Sequence, residues 1–169
     1  MQGTILVAYA TKKGSTRVVA GSILATLREW GLEVEFEPAE KVRDLGRYTA
    51  VVLGGALYMG RWHRDARSFL KRHRKALAGI PVAFFAMGPR TTEEQDIAAS
   101  REQLERALEK VPELKPVSIA IFGGVVDPSD HHFPFNRMPK SDARDWDAIR
   151  DWAIELAVSL RASGESAGS

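Results

Sequence analysis

The stretch Thr4-Ile5-Leu6-Val7-Ala8-Tyr9-Ala10, followed by Thr11-Lys12-Lys13-Gly14-Ser15-Thr16, decides the fold of this chain. The apolar run predicts a buried strand, and the pattern after it predicts a helix that begins at Ser15. A helix that follows a strand so closely directs its unpaired N–H groups and its positive dipole end at one place, which favours a phosphate. Thr11, Ser15 and Thr16 add hydroxyl groups there, and Gly14 tolerates a positive φ. An ordinary turn in which Ser15 or Thr16 caps the helix explains the same residues.

Length and composition predict a single domain with a sizeable core, since the chain has 169 residues of which 44% are hydrophobic. We assign residues 1–161 to that domain and 162–169 to a flexible tail of small and polar residues, which we expect to be dispensable. The formal charge of +2 gives no reason to expect nucleic-acid binding. The absence of cysteine excludes disulfides, thiolate catalysis and cysteine-ligated metals.

The apolar runs of the sequence are too short to span a membrane. The longest, such as 82–87 and 117–122, have the length of a strand. Met1 leads directly into the first predicted strand without a signal-peptide pattern. We therefore expect a cytoplasmic protein.

Short β-rich runs alternate with longer amphipathic stretches. The predicted strands are 4–10, 33–38, 50–54, 82–87 and 117–123, and the predicted helices are 15–30, 64–78, 92–110 and 143–160. The second strand alternates charged and apolar residues, so we place it at an edge. The pattern predicts an α/β fold, a three-layer, doubly wound, five-stranded parallel sheet of order 2-1-3-4-5.

Ligands of such sheets bind outside the carboxyl ends of the strands, where the strand order reverses. After the third strand, residues 54–63 are rich in glycine and aromatic residues, and Tyr58 or Trp62 either stacks on a planar ring or covers the core. After the fourth strand, Thr91 or Thr92 is the predicted N-cap of the next helix. Arg90 has no capping role, which makes it a candidate for ligand binding.

These motifs resemble those of the flavodoxin-like FMN-binding family. The matching residues are Thr11-x-x-Gly14-x-Thr16, Gly54-Gly55-Ala56-x-Tyr58-x-Gly60, Phe122-Gly123-Gly124 and the helix start Asp145-Trp146-Asp147-Ala148-Ile149. Within the family, the chain is similar to the menaquinone-dependent protoporphyrinogen oxidase branch and its flavodoxin-domain relatives. The resemblance implies FMN as the cofactor.

The same resemblance implies a set of FMN-binding residues. Those around the phosphate would be Thr11, Lys12, Lys13, Gly14, Ser15 and Thr16. Those on one side of the isoalloxazine would be Gly55, Ala56, Leu57, Tyr58, Met59 and Gly60, and those on the other side Gly88, Pro89, Arg90 and Thr91. No catalytic side chain is assigned. No metal is expected, because the adjacent His131 and His132 of one loop rarely converge on an ion.

The chain departs from the family pattern at three places. Lys13 stands where flavodoxins have a hydroxyl residue. No aromatic residue lies between Gly88 and Thr92, which would leave one flavin face open to a substrate. The segment 125–140 is shorter than the insertion of the protoporphyrinogen oxidase branch, and its apolar and basic residues are compatible with peripheral membrane contact.

The resemblance implies an FMN-dependent oxidoreductase, protoporphyrinogen-oxidase-like, whose redox substrate is a quinone or another small molecule. The alternative is an electron carrier that serves a redox protein. Basic residues that are candidates to border the crevice are Lys12, Lys13, Arg17, Arg61, His63, Arg64 and Arg90. Such cations would stabilise the reduced, anionic flavin and favour two-electron chemistry, unless they belong to solvated faces. His63 either reaches the flavin edge or is a solvated loop residue.

Three other protein classes fit less well. A dinucleotide-binding dehydrogenase requires G-x-G-x-x-G after the first strand, where this chain has one glycine. A receiver domain requires an acidic pair after the first strand, and a hydrolase of this layered type requires G-x-S-x-G. The sequence contains neither at the required place.

Overall fold

The computed structural model describes residues 3–11, 14–89, 93–126, 141–142 and 144–167. Its strands are β1 (Thr4–Ala10), β2 (Glu33–Pro38), β3 (Tyr48–Tyr58), β4 (Arg61–Trp62), β5 (Val82–Met87), β6 (Ser118–Phe122), β7 (Val125–Val126) and β8 (Ser141–Asp142). Its helices are α1 (Ser15–Glu29), α2 (Arg64–Arg72), α3 (Arg74–Ala78), α4 (Glu94–Leu108) and α5 (Trp146–Ala167), and Ala39–Lys41 form a 3₁₀ turn.

The main sheet has the predicted strand order. Its path is β2-β1-β3-β5-β6, and all four neighbouring pairs on this path are parallel. β2 is an edge strand, as its alternation of charged and apolar residues predicts. β4 pairs antiparallel with the end of β3, and β7 and β8 form a separate pair. The predicted doubly wound fold is therefore confirmed, with the hairpin strand β4 as an addition.

Helices cover both faces of the sheet because the central strands bury side chains on each face. One core lies under α1 and α5 and includes Val7, Ile23 and Leu156. The other lies under α2, α3 and α4 and includes Leu6 and Phe69. The switch point between β1 and β3 therefore lies at the carboxyl edge of the sheet, between the two helical layers.

The predicted loop after the third strand is mostly a strand, so the predicted end of that strand is wrong. β3 continues to Tyr58, because Gly55 and Ala56 still pair with β5 and Leu57 and Tyr58 pair with β4. Glycine and aromatic residues are as compatible with a hairpin as with a loop. The apolar run 50–53 is interrupted by Gly54 and Gly55, several residues before the strand ends.

The predicted second helix is broken at His73, which separates α2 from α3. The backbone of His73 has φ −107° and ψ 17°, outside helical geometry. Its ring is buried against Phe69 at a centroid distance of 4.6 Å, and its Nε2 lies 3.3 Å from the carbonyl oxygen of Val42. Docking of this ring against the segment after β2 accounts for the break.

The helix α4 begins at Glu94 with Glu93 at the N-cap, so the prediction that Thr91 or Thr92 caps it is wrong; both threonines lie outside the described residues.

α5 begins after Asp145, whose Oδ1 accepts a hydrogen bond from the N–H of Ala148 at 3.1 Å. It runs to Ala167, beyond the predicted end at 160, so residues 162–167 continue a helix. Dispensability of 162–169 stays a prediction. Among the described helices, none combines the length and the apolar character that a bilayer crossing requires.

Candidate functional site

The turn between β1 and α1 has the geometry of an anion site. Gly14 occupies the N-cap with a φ of 91°, and its N–H donates to the Oγ1 of Thr11 at 3.0 Å. No side chain caps α1, so the expected alternative of a cap by Ser15 or Thr16 is not observed. The first turn of α1 also carries no acidic residue that would neutralise the helix dipole. Lys12 and Lys13 lie outside the described residues.

Thr16 is the most informative residue of this turn. It is fully buried, and its Oγ1 has no hydrogen-bond partner within the part of the chain that the structure describes. Thr26 lies in the same helix and is also buried, but its Oγ1 donates to the carbonyl oxygen of Ser22 at 3.1 Å. An unsatisfied buried hydroxyl costs about 1–3 kcal/mol. The oxygen atoms of a phosphate would accept from it, so the turn fits a phosphate-bearing cofactor.

The β3–β4 hairpin forms the second part of the site. Its two-residue turn consists of Met59 and Gly60, with φ values of 52° and 78°. Tyr58 is 50% exposed and Met59 is 70% exposed, so the tip of the hairpin is an open surface. Gly55, Ala56 and Leu57 lie in β3 below it.

The two aromatic residues of the hairpin have different roles. Trp62 is buried, contacts Phe84 edge-on at a centroid distance of 5.8 Å, and donates its indole N–H to the carbonyl oxygen of Gly55 at 3.0 Å. Trp62 therefore covers the core, which is one of the two expected roles. Tyr58 is the exposed aromatic side chain of this hairpin.

His63 is a capping residue and not a solvated loop histidine. It is the N-cap of α2, and its Nδ1 accepts a hydrogen bond from the N–H of Asp65 at 3.0 Å. The carboxylate of Asp65 lies 3.9 Å from the same nitrogen. The structure therefore explains His63 by helix capping.

Gly88 and Pro89 form the third part of the site, directly after β5. The N–H of Gly88 donates to the carbonyl oxygen of Phe122, and the N–H of Gly124 donates to that of Pro89 at 3.0 Å. A Cβ on Gly88 would lie 2.6 Å from the Cβ of Leu57, so only glycine permits this close approach to the end of β3. Arg90 and Thr91 lie outside the described residues.

A cleft of about 320 Å³ separates the hairpin from helix α4. Its lining residues are Leu57, Met59, Gly60, Gly88, Pro89, Asp96, Ala99, Ser100 and Gln103. Five of these are predicted site residues, but the four from α4 were missed by sequence reasoning. The spacing of Asp96, Ser100 and Gln103 indicates one helical face, yet a polar face of this kind is typical of an ordinary solvated helix.

The charges around the crevice are mixed and not uniformly basic. Arg17, Arg61 and Arg64 are exposed, as a basic border requires. Glu93 and Glu94 are exposed at the start of α4, and Asp96 lines the cleft. The expectation of a basic border omitted these carboxylates, because the sequence does not show how near the start of α4 lies to the hairpin. The candidate metal residues Asp127, Asp130, His131 and His132 lie outside the described residues.

Comparison with known proteins places these features in a family. A family model described as a flavodoxin domain matches residues 6–136. The protoporphyrinogen IX dehydrogenase (quinone) of Escherichia coli strain K12 is 26% identical over 84 residues, which are 48% of this chain and 46% of that protein. The match therefore spans about half the length of this curated relative.

Solved structures show the same fold. A flavodoxin from Streptococcus pneumoniae TIGR4 superposes with a TM-score of 0.64 at 15% identity, covering 95% of this chain and 99% of that one. The oxidised Flavodoxin 2 of Bacillus cereus superposes with a TM-score of 0.59 at 22% identity, with the same coverage of 95% and 99%.

Proposed function

The chain belongs to the flavodoxin domain family, whose cofactor is FMN, and we propose that it is an oxidoreductase that passes electrons between this flavin and a small organic acceptor of the quinone type. When bound, FMN supplies one- and two-electron redox chemistry. The residues of this chain bind it, orient it and select what reaches it.

We assign the phosphate of FMN to the turn 11–16. The unpartnered, buried hydroxyl of Thr16 supports this assignment, since a phosphate oxygen would satisfy it. The left-handed Gly14 and the uncapped, carboxylate-free first turn of α1 support it independently, because both leave backbone N–H groups and the helix dipole available to an anion. Lys12, Lys13 and Ser15 complete the assignment by position in the motif.

We assign the isoalloxazine to the space between the hairpin residues 55–60 and the segment 88–91. Residues 55–60 and 88–89 lie at the carboxyl edge of the sheet, beside the switch point between β1 and β3. Tyr58 is the exposed ring on the hairpin side, and Gly88 keeps the opposite segment close to β3.

The cleft between the hairpin and α4 is the observation that favours an enzyme over a carrier. Its lining includes Leu57, Met59, Gly60, Gly88 and Pro89 of the assigned isoalloxazine space, and the residues from α4 extend this space further. A protein that only exchanges electrons with a partner protein has no need of such an extension. This cleft combines an apolar wall with polar side chains, as sites for small organic molecules do. The similarity to a protoporphyrinogen IX dehydrogenase (quinone) supports a quinone as the acceptor and a porphyrinogen as a candidate donor.

An electron carrier is the second candidate, and the exposed hairpin tip favours it. Tyr58 and Met59 together form an open, apolar surface at the end of β3. Such a surface suits docking of a redox protein as well as contact with a small molecule.

Reoxidation of the reduced protein separates the two functions. The FMN-loaded protein is reduced anaerobically with dithionite and mixed with naphthoquinone in a stopped-flow spectrometer. An oxidoreductase recovers its oxidised-flavin absorbance at a rate that saturates with naphthoquinone concentration, and one equivalent of quinone suffices. A rate that stays slow and rises linearly at all concentrations contradicts the proposal and favours the carrier.

The cofactor and the electron count are tested separately. Flavin released by denaturation is expected to be FMN, and release of FAD would contradict the assignment. In a spectroelectrochemical titration we expect one two-electron wave, whereas two well-separated one-electron waves would favour the carrier. Location in the cytoplasm stays a prediction.

A further inference from the structure

The segment 61–75, which includes β4, α2 and the start of α3, concentrates positive charge. It holds seven of the 24 basic residues of the chain and one of its 22 acidic residues. The rest of the chain therefore has 17 basic and 21 acidic residues and is net negative. The small charge of the whole chain conceals this asymmetry, which gives one side of the molecule a field that a mixed surface lacks.

The basic side chains of this segment lie on its outer face. Arg64 and Lys71 are exposed and seven residues apart in α2, which places them on one side of the helix, and Lys75 is exposed in α3. The opposite side of α2 buries Phe69 and Leu70 against the sheet. The amphipathic character of α2 therefore separates a core face from a face made of cations.

Folding accounts for three of the seven cations. Arg67 and Arg72 donate to backbone carbonyl oxygens at 2.9 and 3.0 Å, and Arg74 forms an ion pair with Glu113. The remaining four make no ion pair or side-chain hydrogen bond within the described parts of the chain, and we call them the basic stripe: Arg61, Arg64, Lys71 and Lys75.

The basic stripe does not stabilise the fold. In α4, Arg106 pairs with Glu102 four residues earlier at 2.9 Å. Lys71 and Lys75 have the same separation in the sequence but carry like charges, which repel each other. The acidic residue of the segment, Asp65, lies in the first turn of α2 and leaves the rest of the stripe unneutralised. Exposed charge of one sign that brings no stability favours association with a partner of the opposite sign.

The basic stripe begins at the hairpin assigned to the flavin. Arg61 lies opposite the exposed Tyr58 in the register of β3 and β4. Arg64 is the first residue of α2, directly after this hairpin. A partner bound along the stripe would therefore also meet the hairpin tip, beside the space that we assign to the isoalloxazine.

The composition of this surface fits a protein better than a lipid bilayer. Among the described residues, no large apolar side chain of the segment 61–75 is exposed. A helix that lies on a membrane inserts its apolar face into the lipid, but the apolar face of α2 is already buried in the core. The exposed Tyr58 and Met59 next to the stripe match the apolar centre and charged rim of a protein interface.

We propose that the basic stripe is the docking surface for an acidic redox protein that supplies electrons to the cofactor. This inference rests on the proposed function and names the kind of partner that keeps the flavin reduced. The donor protein loses two electrons, which reduce the flavin, and the accompanying protons come from water. Complementary charge raises the association rate and orients the donor toward the hairpin.

Reduction of the FMN-loaded protein by two equivalents of a photoreduced, acidic [2Fe–2S] ferredoxin, followed by stopped flow, tests the inference. We expect Lys71→Gln/Lys75→Gln to lower the second-order rate constant about fivefold at low salt. The difference should vanish near 1 M salt, where the Debye length is about 3 Å.

Arg150→Gln/Arg161→Gln is the matched control. Both arginines are exposed on α5, which covers the other face of the sheet, and their loss removes the same positive charge. We expect this variant to change the rate constant less than about twofold at low salt. The Kd for FMN should stay the same in both double variants, since none of the four residues belongs to the assigned FMN site.

A rate constant that does not depend on salt overturns the inference, as does an equal decrease in the two double variants. The surface belongs to a membrane instead, and the inference is wrong, if Lys71→Gln/Lys75→Gln abolishes binding to vesicles of phosphatidylcholine and phosphatidylglycerol but leaves the ferredoxin rate unchanged. Reoxidation by the neutral naphthoquinone should be equal in all three proteins. A chain that takes electrons from ferredoxin through the stripe but does not reduce naphthoquinone would overturn the proposed function alone.

Discussion

The two ends of the proposed cofactor site differ in how far the protein satisfies its own polar groups. At the β1–α1 turn, the buried hydroxyl of Thr16 has no partner among the described residues, and no side chain caps α1. At the base of the hairpin, the carbonyl of Gly55 accepts from Trp62 and that of Ala56 accepts from the N–H of His63 at 2.8 Å. We infer that the turn supplies most of the affinity for FMN and that the hairpin supplies shape and selectivity.

The largest loss of stability should come from Gly54→Ala, which disrupts the packing between the central strands below the hairpin. A Cβ at this position would lie 1.9 Å from Cζ of the buried Phe85 ring, so the central strands must separate or the ring must move. We expect a loss of about 3 kcal/mol or more in the free energy of unfolding, measured with urea. Gly21→Ala is the control, because Gly21 lies in α1 with no neighbouring atom within 4 Å of a Cβ. This change should stabilise the protein by about 0.5–1 kcal/mol. Equal effects of the two substitutions would contradict the close packing of Gly54.

Thr16→Val should separate cofactor affinity from folding. Loss of a hydroxyl that donates to a charged phosphate should weaken the free energy of FMN binding by roughly 1–3 kcal/mol, which raises the Kd about 5-fold to 150-fold. The FMN-free protein should keep its free energy of unfolding or gain about 1 kcal/mol, because the unsatisfied hydroxyl is gone. Thr26→Val, which removes a hydroxyl already bonded to Ser22, should leave the Kd for FMN unchanged. If Thr16→Val binds FMN as tightly as the original chain does, Thr16 does not belong to the phosphate site.

Met59→Asn should show that the hairpin tip carries strain. Met59 has a φ of 52° and is 70% exposed, so neither local conformation nor burial favours methionine there. Two-residue turns with positive φ at both positions prefer Asn-Gly, which predicts a stabilisation of about 1 kcal/mol in urea denaturation. Met59→Ala keeps the Cβ penalty and should bring no such gain. A weaker Kd for naphthoquinone in Met59→Asn would show that the methionine serves the cleft at the expense of stability.

His73→Gln should have the smallest effect, confined to low pH. Burial lowers the pKa of His73 below its usual value of 6.5, so the folded state binds protons less readily than the unfolded state does. The free energy of unfolding is therefore highest above about pH 6.5 and falls as the pH drops below that value. The Gln variant should lose less stability between pH 7 and pH 5 in urea denaturation. Identical pH profiles would show that His73 does not contribute. Since His73 lies at the junction of α2 and α3, its titration should leave the Kd for FMN unaffected.

Much of this architecture could be predicted because it depends on local pattern. The apolar runs of β1 and β5 and the alternation in β2 predicted the bounds that the structure has, and the positive φ that Gly14 was expected to tolerate is observed. The length of β3 could not be predicted from local pattern. Gly55 is required by the close approach of the Trp62 ring, and Gly88 by the close approach of Leu57, and both contacts form only when the chain is folded. The approach of α4 to the hairpin, which brings Asp96, Ser100 and Gln103 to the cleft, could not be predicted either, because no local pattern encodes it.

The bond between Trp62 and Gly55 divides the hairpin into a fixed base and a free tip. The base is buried in the core, so a substitution there changes folding. Tyr58 and Met59 are exposed beyond it, so substitutions at these positions change stability less than substitutions in the base do. Descendants of this chain can therefore accumulate substitutions at the tip without first acquiring compensating mutations in the sheet.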